Sequence, residues 1–169
     1  MAITLFEISI PTLLRGLKNV AALLDKAGDY AAAKKLDSTV LAQLRLFPDM
    51  FPLSRQVQVT CDNAKGAAAR LANLEIPKHE DTETTLPELG ARIRKTLDFV
   101  GGIGPAQLAG AESREILLQF PTHTLRFTGL SYWTDFALPN FYFHSSMSYA
   151  LLRSVGVEIG KRDFLGAIQ

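Results

Sequence analysis

Asn140 and His144 stand four residues apart in the segment Leu138-Pro139-Asn140-Phe141-Tyr142-Phe143-His144. On a helix that spacing projects both side chains from one face, one turn apart. The same face carries Trp133, Met147 and Leu151. It is therefore expected to point into a core, where polar groups need partners. Two chemistries are open to it. One is metal ligation, since helical bundles build metal sites from inward side chains on facing helices. A carboxamide is a poorer ligand for zinc or nickel than imidazole or carboxylate, however. The other, which the residue types favour, is a core histidine hydrogen-bonded to a side chain or a carbonyl. Gln56 and Gln58 lie beside Arg55 at the edge of an earlier apolar stripe. One of them is placed to meet His144 from across the bundle, and boundary polarity is their plainer reading.

The other chemical groups are more isolated. Cys61 lies on a buried stripe and is expected to be a structural thiol, because reactive cysteines need an electropositive, partly exposed setting. It imitates a Cys/His pair only if its helix turns it toward His144. His79, in the charged run Lys78-His79-Glu80-Asp81, is expected to be solvated, and His123 falls in a turn. His-Glu-x-x-His spacing, a P-loop, the Gly-x-Gly-x-x-Gly signature and Gly-x-Ser-x-Gly are all absent from the sequence.

Helices must position these residues. Ile10, Leu13, Leu14, Leu17, Val20, Ala21 and Leu24 recur at helical spacing. They predict a first helix ending near Lys26, with Gly28 after it and a Thr4/Glu7 capping box at its start. Pro11 either kinks this helix or marks the first turn of a later start. A short helix and a connection follow over 29–46. Pro48 and Pro52 bracket the start of a second long helix, with Asp49 where an acid favours the helix dipole. Its stripe is Leu53, Val57, Cys61, Ala64, Ala68 and Leu71. After a loop over 73–84, Thr85 and Glu88 form a second capping box. Leu86, Leu89, Ile93, Leu97 and Val100 mark a third helix, stopped by Gly101-Gly102.

Two β-prone runs, 114–120 and 124–128, flank Pro121-Thr122-His123 and predict a small hairpin. From Ser131 the pattern is helical again, with a kink expected at Pro139 and a stop at Gly156. Phe136 and Phe143 fit the inner face of this helix or its edges. Phe141 and Tyr142 fall toward the other side, where they fit an interface or a wide buried arc equally well. The tail from Val157 reads as a docked coil. The pattern as a whole predicts an all-α four-helix bundle with a small β-hairpin insertion before the last long helix, forming one domain over 1–169.

Composition narrows the function classes. The 169 residues carry 18 Lys and Arg against 17 Asp and Glu, a net charge of +1. A dedicated nucleic-acid binder usually shows a basic excess, so no nucleic acid is expected. One cysteine excludes an intramolecular disulfide. The N-terminal stretch does not read as a signal peptide, and no run suits a membrane span. A soluble cytoplasmic protein is the expectation.

Several stretches also resemble a family. They are Pro48-Asp49-Met50-Phe51-Pro52-Leu53, Gln56-Val57-Gln58, the segment 138–144, and the ending Leu152-Arg153 to Gly156-Val157 with Gly160-Lys161-Arg162-Asp163-Phe164-Leu165-Gly166. Together they resemble domain-of-unknown-function family nineteen-ninety-three of bacteria and fungi, over nearly the whole chain. That family is similar to the DinB-like (YfiT-like) superfamily of four-helix proteins. Many members of the superfamily bind a divalent metal through three histidines, some are thiol-dependent transferases, and dimers are common.

The resemblance implies His144 as a metal ligand, nine residues before Arg153. It places Asn140 where a second histidine belongs, and Gln56 or Gln58 where a third belongs. With two of three ligands replaced by amides, an ordinary three-histidine site is not expected. No cofactor is firmly expected. Three functional readings are open. The first is a small-molecule binding protein, or an unassigned enzyme, with a degenerate metal pocket lined by His144, Asn140, Gln56, Gln58 and Trp133. The second is a non-catalytic homodimer. The third is a divalent-metal-dependent thiol transferase.

Overall fold

The computed structural model describes residues 3–167. Helix α1 (Leu5–Lys34) opens with the Thr4/Glu7 capping box. The Glu7 amide donates to Thr4 Oγ1 at 3.3 Å, and the Thr4 amide to Glu7 Oε2 at 2.7 Å. Pro11 lies inside the helix, and the chain passes Gly28 without stopping. A mid-helix glycine costs about 1 kcal/mol relative to alanine. Burial of Ala27 and Ala31 continues the apolar stripe past it and offsets that cost. The expected end near Lys26 is therefore corrected to Lys34, where Lys35 turns into the left-handed region.

Helix α2 (Ser38–Ala42) is capped by Asp37. Helix α3 (Leu53–Ala72) starts directly after Pro52. Asp49 lies in the turn before it, bracketed by the Met50 amide bonding to the Phe47 carbonyl, and so misses the first helical turn. Helix α4 (Leu86–Gly101) carries the second capping box, Thr85 with Glu88. Two 3₁₀ turns then lead to strands β1 (Glu115–Gln119) and β2 (Thr124–Thr128). The strands pair antiparallel, from Glu115 opposite Thr128 to Gln119 opposite Thr124, and turn over residues 120–123 as the sequence predicts. Ile116 and Leu118 face the bundle.

The last long helix departs from a simple α-helix. A short α5 (Gly129–Ser131) runs into a π-helical stretch, Tyr132–Ala137, and then into α6 (Leu138–Ser154). Pro139 has no amide proton, and the wider π turn absorbs the defect just before it. The widening also shifts the register. Trp133 and Ala137 are buried as expected, but beyond the π turn the buried positions are Phe141, Ser145, Ser148, Leu151 and Leu152. Phe141, which spacing alone leaves open between an interface and a wide buried arc, lies in the core, whereas Phe143 stands 56% exposed. The tail is more than coil. Val157 and Ile159 are buried, and a short α7 (Lys161–Leu165) docks on α1 of the same chain. Asn19 Nδ2 donates to the Phe164 carbonyl at 2.9 Å, and Lys26 pairs with Asp163 at 2.5 Å.

These contacts set the directions of the bundle. Gly16 meets Phe141 and Tyr30 meets Val155, so α1 and α6 run the same way. Gln56 meets His144 and Arg70 meets Tyr132, so α3 opposes α6. Leu14 meets Gly101, while Leu24 and Ala31 share a groove with Leu86 and Gly90, so α4 opposes α1. Helices α3 and α4 are therefore parallel. The connection over 73–85 must travel the length of the bundle to join them.

Candidate functional site

Gln56 and His144 meet near the start of α3. Both side chains leave helical backbone, so neither depends on a mobile loop for its position. His144 Nδ1 lies 2.8 Å from Gln56 Oε1. A carboxamide oxygen only accepts, so Nδ1 carries the proton and Nε2 presents a lone pair. Nε2 has no hydrogen-bond partner among the described residues and is not buried. Two aromatic rings frame the imidazole. Phe51 stacks on it at 6.4 Å between centroids, and Phe143 meets it edge-on at 5.1 Å. Phe51 and Phe143 are both exposed. The Arg55 guanidinium lies over the Phe51 ring, 5.8 Å from its centroid.

Burial, followed by the positive charge of Arg55, holds the His144 pKa below the ordinary histidine value. The imidazole is thus neutral at pH 7. In the unfolded chain it takes its proton near about 6.5. Between the two values the unfolded chain binds more protons than the folded one, so stability rises with pH there. This contribution is complete above the unfolded value and is lost as pH falls toward the lower, folded one. His79 is shifted the same way, by burial and then by Lys65 and Arg92. Thermal melting is expected to be flat above neutrality and to decline as pH drops below about 6.5. His144→Gln, whose amide does not titrate, should flatten part of that decline. Parallel melting profiles for the two proteins would count against the shift.

The remaining expected site residues do not converge on His144. Asn140 Nδ2 donates to the Phe136 carbonyl at 2.7 Å, securing the junction of the π and α segments. Gln58 turns to the other side of α3, where its Nε2 donates to Glu83 Oε2 at 3.0 Å. Trp133 is in the core, eleven residues before His144, or roughly 16 Å along a helix. Cys61 is fully buried, and that burial pushes its thiol up to about 12. It is no nucleophile at neutral pH, and the hydrogen-bond partner of His144 is Gln56, not Cys61. Among the described residues, no three His, Cys, Asp or Glu side chains are grouped to hold a metal ion. The donors at the expected metal position do not fit one either. The Asn140 amide is engaged with its own helix, and Gln56 Oε1 faces a protonated nitrogen of the histidine.

A charge cluster that the sequence did not reveal lies across α3 from His144. Arg92 is 2% exposed. Its Nη1 donates to both Glu83 oxygens at 3.1 and 3.2 Å and to the Glu80 carbonyl at 3.0 Å. Its Nη2 pairs with Asp62 at 2.8 Å and Asp81 at 2.9 Å. Lys65, also buried, pairs with Asp62 at 2.9 Å, and Arg55 pairs with Asp81. Burial works against the Arg92 charge, but Glu83 and Asp62 more than restore it, so the guanidinium stays ionised. The signal was available: Arg92 sits three residues after Leu89 and one before Ile93, a charge on an apolar face. His79 also departs from expectation. It is half-buried, and its Nδ1 is fully covered without a partner among the described residues.

The family described as "Domain of unknown function (DUF1993)" matches residues 5–165. The crystal structure of a DinB family member protein from Shewanella denitrificans is similar, with 41% sequence identity and a TM-score of 0.89. The match covers 97% of this chain and 93% of that one. No curated protein matches the chain. With its helices arranged as in that relative and its sequence matched almost from end to end, the chain belongs to the DUF1993 family and has the DinB-like four-helix fold.

Proposed function

We propose that the chain is a binding protein for a small ligand that donates a hydrogen bond to His144 and rests an apolar body against Phe51 and Phe143. The observation that carries this reading is the 2.8 Å contact of His144 Nδ1 with the Gln56 Oε1 acceptor, which assigns the proton to Nδ1. Gln56 holds the Nδ1 proton, which leaves Nε2 as an acceptor between two exposed rings. A neutral acceptor selects a ligand with an O–H or N–H group, and rings of this kind favour aromatic or flat apolar bodies. Gln56 is then the orienting residue and His144 the recognition residue.

The test uses p-cresol, which has a donor on an apolar ring, and 4-methylanisole, which has the same ring without the donor. Imidazole and aromatic resonances are followed by NMR in the wild type and in His144→Ala. Saturable binding of p-cresol is expected, about tenfold tighter than 4-methylanisole, as one added hydrogen bond warrants. His144→Ala should abolish the difference. No binding by either compound, or equal binding by both, removes the reading.

The exposure of Phe51 and Phe143 also favours a second reading, in which this patch meets a second copy of the chain. Light scattering on the same samples would then show a dimer, and a monomer would exclude it.

A further inference from the structure

His79 stands in the middle of the strap over 73–85 with one ring nitrogen covered and unused. Its Nδ1 is buried and has no hydrogen-bond partner among the described residues, whereas Nε2 is not covered in this way. A buried lone pair costs less than a buried orphan N–H. The neutral ring therefore carries its proton on Nε2, toward water, and leaves Nδ1 bare. The second proton of an imidazolium must then go to Nδ1, the atom with neither water nor an acceptor beside it. A charged N–H in that position is far more costly than a bare lone pair.

The surrounding charges add to that cost. Lys65 on α3, with Arg92 and Lys95 on α4, opposes a positive charge on the ring, and Asp62 on α3 favours one. Asp62, however, is already held by Lys65 at 2.9 Å and by Arg92 at 2.8 Å. Asp81 and Glu83 on the strap are tied to Arg92 as well, and Glu88 accepts from the Thr84 and Thr85 amides. The chain neighbours are a cation, Lys78, and an exposed carboxylate, Glu80, and neither is bonded to Nδ1. The strap is pinned on both sides of His79. The Leu74 amide bonds to the Ala69 carbonyl at 2.8 Å, and Arg92 holds the Glu80 carbonyl at 3.0 Å. The span over 75–79 has the His79 ring as its tie between these two pins.

We propose that His79 is an acid-released latch: the neutral ring holds the span over 75–79 against α3 and α4, and protonation drives the ring into water and frees that span between its pins. The released ring takes its proton near the ordinary value of about 6.5. The docked ring does so lower, because burial and then Lys65 and Arg92 oppose the charge. The latch is therefore fully closed above the released value and loosens as the pH falls toward the docked one. The carboxylates on Arg92 stay ionised through this range, so the rest of the strap holds.

The full chain labelled with ¹⁵N gives the backbone order parameters of Ile76, Lys78 and His79 at about pH 7.5 and about pH 5. They are expected to fall from about 0.85 to below about 0.6, the change from rigid to flexible backbone, while Leu89 and Ile93 of α4 stay rigid. His79→Gln has no titrating ring and should show the same order at both pH values. Lys95→Gln, an exposed change that removes one opposing cation, should shrink the wild-type loss. His144→Gln removes the imidazole across α3 and should leave the loss as it is. Unchanged order in the wild type, an equal loss in His79→Gln, or a loss shared by Leu89 and Ile93 overturns the latch.

Discussion

Arg92→Met is expected to lower the stability of the fold by about 3 kcal/mol, the scale for removing one partner of a buried ion pair. The reason is where Arg92 sits. Among the described residues, its guanidinium is the only group that contacts Asp62 on α3 together with Asp81, Glu83 and the Glu80 carbonyl on the strap. Methionine fills much of the volume but leaves Glu83, whose side chain is 13% exposed, without its cation. Asp62 and Asp81 are a third or more exposed and recover water, so the loss falls short of the largest values known for buried pairs. Thermal melting should drop by roughly 10 °C. Arg92→Lys should recover only part of this, because an ammonium cannot span the two sides as a guanidinium fork does. Arg55→Met, which removes an exposed partner of Asp81, is expected to stay within about 1 kcal/mol. If Arg92→Met melts with the wild type, the strap is held by its backbone and not by this cluster.

Phe141→Ala should be comparable in size, about 4 kcal/mol. Phe141 is fully buried, and its ring fills the space above Gly16 on α1. A Cβ built on Gly16 would lie 2.5 Å from Phe141 Cε1, so the two positions are complementary. That closeness gives a check which general destabilisation cannot imitate. Gly16→Ala in the wild type meets the ring and should cost about 2 kcal/mol. In the Phe141→Ala background the ring is gone, and Gly16→Ala should be neutral or stabilising. Chemical denaturation of the four proteins measures the coupling. Strict additivity would mean that the helices shift freely at this crossing. The effect should also reach His144, three residues further along α6. With α6 loosened from α1, the hydrogen bond to Gln56 weakens and burial decreases. The His144 pKa, read by NMR, should then move back toward the ordinary histidine value.

Much of the fold was legible in residue order because the relevant interactions are local. The Thr4/Glu7 and Thr85/Glu88 capping boxes each lie within one turn, and both form. The hairpin register follows from two short β-prone runs and the Pro121-Thr122-His123 turn between them. Helix ends were harder. Gly28 looked like a stop by its own propensity, and only the burial of Ala27 and Ala31 against other helices carries α1 past it. The last helix shows the limit most clearly. Regular helical spacing places Asn140 and His144 together on the inner face and leaves Phe141 open between an interface and a wide buried arc. The π turn at Tyr132–Ala137 rotates α6 relative to the residues before it. Phe141 therefore enters the core, His144 moves to its edge and Asn140 bonds to its own backbone.

The same division holds for chemistry. The sequence alone determined that His144 has an amide, Asn140, one turn before it and two more at Gln56 and Gln58, since that depends only on which residue stands where. It also determined that Cys61 is a core thiol, because its place on an apolar stripe is a matter of spacing. Only the tertiary structure decided which amide meets His144, because Gln56 and Gln58 sit two residues apart and differ by about 200° around α3. One turns to α6 and the imidazole, the other to the strap and Glu83. The ion cluster around Arg92 was likewise a tertiary outcome. Its members are spread from Arg55 to Arg92, and they come together because the strap over 73–85 must run back along two parallel helices. No local spacing rule encodes that return path, which depends on the packing of the whole bundle.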